Sequence, residues 1–139
     1  MSTVIERATF PDLKGEQFIA LTTFRKTGKA VTTPVWFAQC LGTIYVETHA
    51  DAGKLKRLRH TTRVTLAPCT YNGKVTGAVS EGNAHILREP QECTAASTAL
   101  AKKYGFMRPL FHFVRNAQRL LQRKARVEEV YIAIEPISG

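Results

Sequence analysis

Residues 18–25, FIALTTFR, are rich in β-branched and aromatic side chains, and after the turn TGK at 27–29 the same chemistry resumes in AVTTPVWFAQ. This pattern predicts a β-hairpin. A second break, CLGT at 40–43, leads into a third strand, IYVETH, so the chain opens as an antiparallel meander. From Asp51 the period changes: Leu55 and Leu58 recur at helical spacing with cations between them, which predicts a short helix with an inward apolar edge and Asp51 as its cap. The run TRVTLAPCT alternates Val64, Leu66 and Pro68 with polar neighbours and predicts a strand. YNGK then supplies a tight turn, and VTGAVSEGNAHIL, residues 75–87, predicts a further strand whose glycines mark a bulge or bend.

Beyond Glu89 the pattern becomes helical. PQECTAASTALAKKYG runs to a glycine stop, FMRPLFHFVRNAQRLLQRKAR continues in helical period after Pro109, and VEEVYIAIEP at 127–136 closes the chain as a strand. Bent, glycine-bearing strands with few helices predict a mainly β (α+β) domain built on a small antiparallel barrel, with an α+β sandwich as the alternative.

Composition narrows the picture. With 139 residues the chain makes one domain, 1–139, and with 44% hydrophobic and 22% charged residues it is neither disordered nor membrane-spanning in character. The start, MSTVIERATFPDLKGE, has the acidic residues and lacks the apolar core that a secretory signal would reverse, so the expected location is the cytoplasm. Cys40, Cys69 and Cys93 form no CxxC pair and read as reduced, buried thiols. A net charge of +9 points to an anionic ligand.

Motifs for self-contained catalysis are missing. His49, His60, His85 and His112 have no metal-ligand spacing, no GxSxG elbow is present, and neither a P-loop nor a GxGxxG fingerprint surrounds Gly53–Lys54. No metal is expected. The basic stretch DAGKLKRLRH is the stronger feature: backbone N–H groups at a helix start, with Lys54 and Arg57 three residues apart, make a phosphate seat, against the commoner reading of a solvated helix face. In TTPVWF, Pro34 must sit at a strand edge or bulge, which frees backbone groups of Thr33, Val35 and Trp36 for a planar heterocycle. Taken alone, Trp36 reads more readily as a core aromatic. The tail from Lys102 to Arg126 interleaves cations with Phe111, Phe113, Leu120 and Leu121, and a docked helix with solvated cations is preferred there to a nucleic-acid or membrane contact.

The succession ALTTFRKTGKAVTTPVWF, GTIYVETHADAGKLKRLRHTTRVTLAPC and GKVTGAVSEGNAHIL resembles the split β-barrel flavin/deazaflavin oxidoreductases related to pyridoxamine 5′-phosphate oxidase, and most of all their coenzyme F-420 branch. The resemblance implies a six-stranded antiparallel split β-barrel (an FMN-binding split barrel) and a homodimer with cofactor sites at the subunit interface. It implies an oxidoreductase that moves hydride between F-420, or alternatively FMN, and a small organic substrate. A non-catalytic flavin, deazaflavin or heme carrier is the competing function. Carried over by position, Thr33, Pro34, Val35 and Trp36 lie beside the ring, and Thr48, His49, Ala50, Gly53 and Lys54 surround the ribityl-phosphate, with Arg57 nearby. No catalytic side chain is implied, His49 being at most a candidate proton donor. The ending YIAIEPISG lacks the family oxidase's substrate-gripping arginine motif, so vitamin B6 oxidation is not expected.

Overall fold

The computed structural model describes residues 9–11, 13, 15–50, 52–105, 113–115, 117 and 129–137. Along the described residues run β1 (Phe18–Phe24), β2 (Ala30–Cys40), β3 (Thr43–His49), α1 (Gly53–Leu58), β4 (Arg63–Cys69), β5 (Ser80–Ile86), α2 (Pro90–Tyr104) and β6 (Glu129–Pro136). The six strands close into an antiparallel barrel in the order β1-β2-β3-β6-β5-β4. The expected mainly β barrel is therefore the fold, and the sandwich alternative is set aside.

Alternation along the strands builds the interior. Ile19, Leu21, Phe37, Ile44, Val46, Val64, Leu66, Ile132 and Ile134 point inward and are essentially inaccessible to water. Leu55 and Leu58 of α1 join the same core, as the sequence spacing predicts. Outside the barrel, α2 lays Ala96, Leu100 and Tyr104 against Ala38, Ala133 and Leu87. Among the described residues no helix is long and apolar enough to cross a membrane.

The barrel is parted on one side. The β2–β3 ladder runs only from Cys40↔Thr43 to Phe37↔Val46, whereas Ala30–Trp36 pairs with β1 alone and Glu47–His49 turns to β6. Pro34 lies in this one-sided half of β2, where its missing N–H interrupts no second ladder. Pro68 has the same situation on β4, whose ladder to β5 stops at Leu66↔Ser80.

Three expectations need correction or restriction. The strand expected from Val75 begins only at Ser80: Val75 makes an isolated bridge to Cys69, and Thr76 N–H donates to the Pro68 carbonyl. The cause is packing, since the chain crosses Pro68 so closely that a Cβ on Gly77 would lie 2.6 Å from the proline Cγ. At the start of α1 the N-cap is Ala52, which has no side chain to offer, and Asp51 lies outside the described residues. Of the second helix expected over 106–126, Phe113–Arg115 and Ala117 are helical and the remainder lies outside the described residues.

Candidate functional site

A cavity of about 510 Å³ occupies the place where β2 and β3 part. Phe18 of β1 and Pro34, Val35 and Trp36 of β2 form one wall; Glu47, Thr48 and His49 of β3 form the other; Lys54, Tyr71 and Arg115 reach in from α1, the β4–β5 connection and the helical segment after α2. The volume suits a small organic ligand or the ring system of a larger one. Two further cavities of about 480 and 520 Å³ lie against α2 and hold none of the expected site residues, so position rather than size singles this one out.

Six of the ten expected residues line it: Pro34, Val35, Trp36, Thr48, His49 and Lys54. Thr33, Ala50, Gly53 and Arg57 do not. Thr33 faces Leu21 across the β1–β2 ladder, and Gly53 opens α1 beneath the Arg57 side chain, where a Cβ would meet Nη1 at 2.8 Å. The Arg57 Nε–H donates to the hydroxyl of buried Thr23 at 2.5 Å. Lys54 and Arg57, three residues apart, thus take different directions, Lys54 into the cavity and Arg57 onto β1.

The electrostatics concentrate on Lys54. Burial pushes its ammonium pKa down, and the charge of Arg57 pushes it further the same way. Among the described residues no ion pair includes it. A partly desolvated cation of this kind is stabilised by any anion that enters beside it. Arg115, by contrast, is ion-paired with Glu129 at the start of β6.

Trp36 is the flat element of the wall. Its ring stacks on Tyr104 of α2 with centroids 4.7 Å apart and planes at 14°. The Tyr104 hydroxyl accepts the Phe37 N–H at 2.8 Å and has the Phe37 and Gln17 carbonyls, each at 2.8 Å, as acceptors for its proton. Burial raises its pKa to about 12, against the opposing effect of the Phe37 backbone hydrogen bond.

Phe18, Glu47, Tyr71 and Arg115 line the cavity without having been expected there. Two of them carried a signal. Phe18 sits directly opposite Trp36 once the hairpin register is written out, and Glu47 shares the outer face of β3 with His49. Tyr71 and Arg115 arrive by tertiary packing and had none. Among the described residues no group of three histidine, cysteine or acidic side chains could hold a metal ion.

The pyridoxamine 5′-phosphate oxidase family model matches residues 6–132. No functionally curated protein matches the chain. Among solved structures, a conserved hypothetical protein of Mycobacterium tuberculosis superposes with a TM-score of 0.62 at 20% identity, over 98% of this chain and 86% of that one. The heme storage protein HutZ of Vibrio cholerae gives 0.63 at 11% identity, over 92% and 87%. An FAD-binding protein of Mesorhizobium loti gives 0.57 at 16% identity, over 89% and 82%. At these identities the likeness is one of fold.

Proposed function

The chain belongs to the pyridoxamine 5′-phosphate oxidase family, and from that premise we propose that the cavity between β2 and β3 binds a flavin-type cofactor, coenzyme F-420 in first place and FMN as the alternative. The protein is then a cytoplasmic oxidoreductase acting on a small organic substrate. The observation that carries this reading is Lys54: a half-buried cation, outside every described ion pair, lining the same cavity as the aromatic side chain of Trp36. A cation and an aromatic side chain in one cavity match a ligand with a phosphate and a planar ring.

The residues present fit such a group. Lys54 would take the phosphate charge, while Pro34, Val35 and Trp36 would lie along the ring, with Thr33, which does not line the cavity, contributing only through its backbone. Thr48 and His49 would lie beside the polar chain between the two, and Ala50 and Gly53, which do not line the cavity, would act only through the backbone that joins His49 to Lys54. Arg57 contributes to the positive potential of the seat from its place on Thr23. When bound there, the cofactor supplies the hydride chemistry, so the protein's task is to bind, orient and keep water from the ring. That division of labour accounts for the lack of a catalytic triad. His49, in the cavity wall, is a candidate proton donor.

The site is completed in a homodimer. Tyr71, Val75 and Val79 stand 76%, 48% and 64% exposed on the β4–β5 connection, and Tyr71 already lines the cavity. An apolar edge of this kind beside a ligand cavity is suited to burial under a second copy. A second function, a non-catalytic flavin or heme carrier, draws support from His49, because an imidazole in a cavity is a ligand heme iron accepts.

Titration of the purified protein with F-420, FMN and heme, in parent and Lys54→Ala, tests the reading. The expected outcome is binding of F-420 or FMN by the parent and a loss of about tenfold in Lys54→Ala, the size of one charge-assisted contact. Equal affinity in the two proteins removes the phosphate seat, and binding of heme alone moves the protein to the carrier function.

A further inference from the structure

Phe18 and Trp36 stand directly opposite one another in the β1–β2 ladder, and both line the candidate cavity. Immediately behind them lies a side chain that does not enter the cavity at all. The Tyr104 hydroxyl, on the last residue of α2, bonds the Phe37 peptide next to Trp36 and reaches the carbonyl of Gln17, the residue before Phe18. Its ring backs the ring of Trp36 in a near-parallel stack. One buried tyrosine is thus fastened to the backbone beside each of two facing aromatics and to the ring of one of them.

We propose that Tyr104 is a positioning residue of the site: by clamping β1 and β2 beside Phe18 and Trp36 and by backing the Trp36 ring, it fixes the aromatic wall against which a planar ligand packs. The inference rests on the cavity being a ring-binding site, and it deepens that reading by placing one determinant of affinity on α2, outside the cavity.

Three physical points support it. The Trp36 half of β2 has only β1 as a neighbour, so the ladder that would hold it from the other side is missing, and an external clamp replaces it. The hydroxyl oxygen accepts the Phe37 N–H of β2, and when its single proton goes to the carbonyl of Gln17, next to β1, rather than to that of Phe37, the two strands are held through one atom. The rings stack with centroids 4.7 Å apart and planes tilted by 14°, a favourable arrangement for two aromatic rings, and the stack leaves the remaining face or edge of Trp36 to the cavity.

The chain's single tryptophan makes the proposal measurable with and without ligand. Acrylamide quenching and anisotropy of Trp36 are compared in the ligand-free parent and in Tyr104→Phe, which keeps the ring and loses the clamp. Binding of FMN and of F-420 is then followed in parent, Tyr104→Phe, Trp36→Ala and the double variant. The expected result is greater quenching and lower anisotropy in Tyr104→Phe, three- to tenfold weaker ligand binding, and a loss that shrinks to less than twofold when Trp36 is already alanine. Unchanged Trp36 quenching in Tyr104→Phe overturns the proposal, and so does an equal loss of affinity with and without Trp36, which marks a merely structural tyrosine. If the parent binds neither cofactor, the cofactor reading falls on its own and the quenching comparison alone decides the role of Tyr104. Should Tyr104→Phe fold poorly, Tyr104→Met, which fills much of the same volume without the hydroxyl or the stack, is carried through the same quenching and affinity comparisons.

Discussion

Lys103 sits one residue before Tyr104 with its ammonium 3.3 Å from the centroid of the buried Phe37 ring, and burial pushes its pKa down to about 8, with Glu16 pulling the other way. Because an unfolded lysine titrates near 10.5, the native state holds fewer protons than the unfolded chain between about pH 8 and 10.5, and this group's contribution to stability rises with pH across that window. Tyr104 has the opposite sign. Its pKa is raised from 10.0 to about 12, so the native state keeps a proton the unfolded chain loses, and stability falls as pH rises from 10 to 12. Lys103→Met should therefore flatten the rise between pH 8 and 10.5, by about 1 kcal/mol once the half-exposure of the amine is allowed for, and leave the fall above pH 10 in place. Chemical denaturation of both proteins across pH 7–12 checks it, and parallel curves would show that the ammonium is fully solvated. Neither residue was legible as special. Ala96, Leu100 and Tyr104 share a helix face by their spacing of four, but nothing local says that Phe37 and Trp36 lie beneath them.

The elements were legible where the pattern had one cause and misread where two competed. β1 to β4 and α2 follow from alternation, turns and a glycine stop, and Pro34 was correctly confined to a strand edge. The stretch 75–79 is as β-prone as its neighbours, yet Pro68 opposite it gives no N–H to a ladder and presses on Gly77, so local propensity lost to a tertiary contact. Two substitutions separate these influences. In the β2–β3 turn, fully exposed Leu41 adopts φ 52° before Gly42 at φ 84°, a left-handed pair that asparagine tolerates better than leucine. Leu41→Asn should stabilise by about 0.5–1 kcal/mol, read as a higher melting temperature with unchanged ligand binding. Inside the barrel, a Cβ on Gly82 of β5 would lie 2.6 Å from Ile134 Cγ2 and 3.2 Å from the Glu135 carbonyl. Gly82→Ala should destabilise by about 1–3 kcal/mol through overpacking, and equal stability would mean that β5 and β6 separate freely.

On the scale of the whole molecule the cavity draws on segments that are distant in sequence, from Phe18 to Arg115, and only the closed barrel brings them together. The family motifs marked the two strands and the helix that supply most of it, but they could not show that Arg57 would turn away to Thr23 or that Tyr71 would turn in. Those directions depend on packing between elements. The same limit applies one level up, to the second copy proposed above. The β4–β5 connection exposes Tyr71, in the cavity wall, and Val75 and Val79 further along, while Val75 and Thr76 tie the connection back to Cys69 and Pro68 of β4, so the apolar side chains sit on an anchored loop. If a partner subunit covers them, a charge there must be desolvated on association, at a cost of several kcal/mol. The parent should sediment as a dimer at micromolar concentration, and Val79→Asp as a folded monomer with cofactor affinity reduced at least tenfold, because each cavity loses the wall its partner supplies. A Val79→Asp protein that remains dimeric places the interface elsewhere on the barrel. A monomeric variant with undiminished affinity shows instead that each subunit binds its cofactor alone, with Trp36 and Lys54 sufficient for the task.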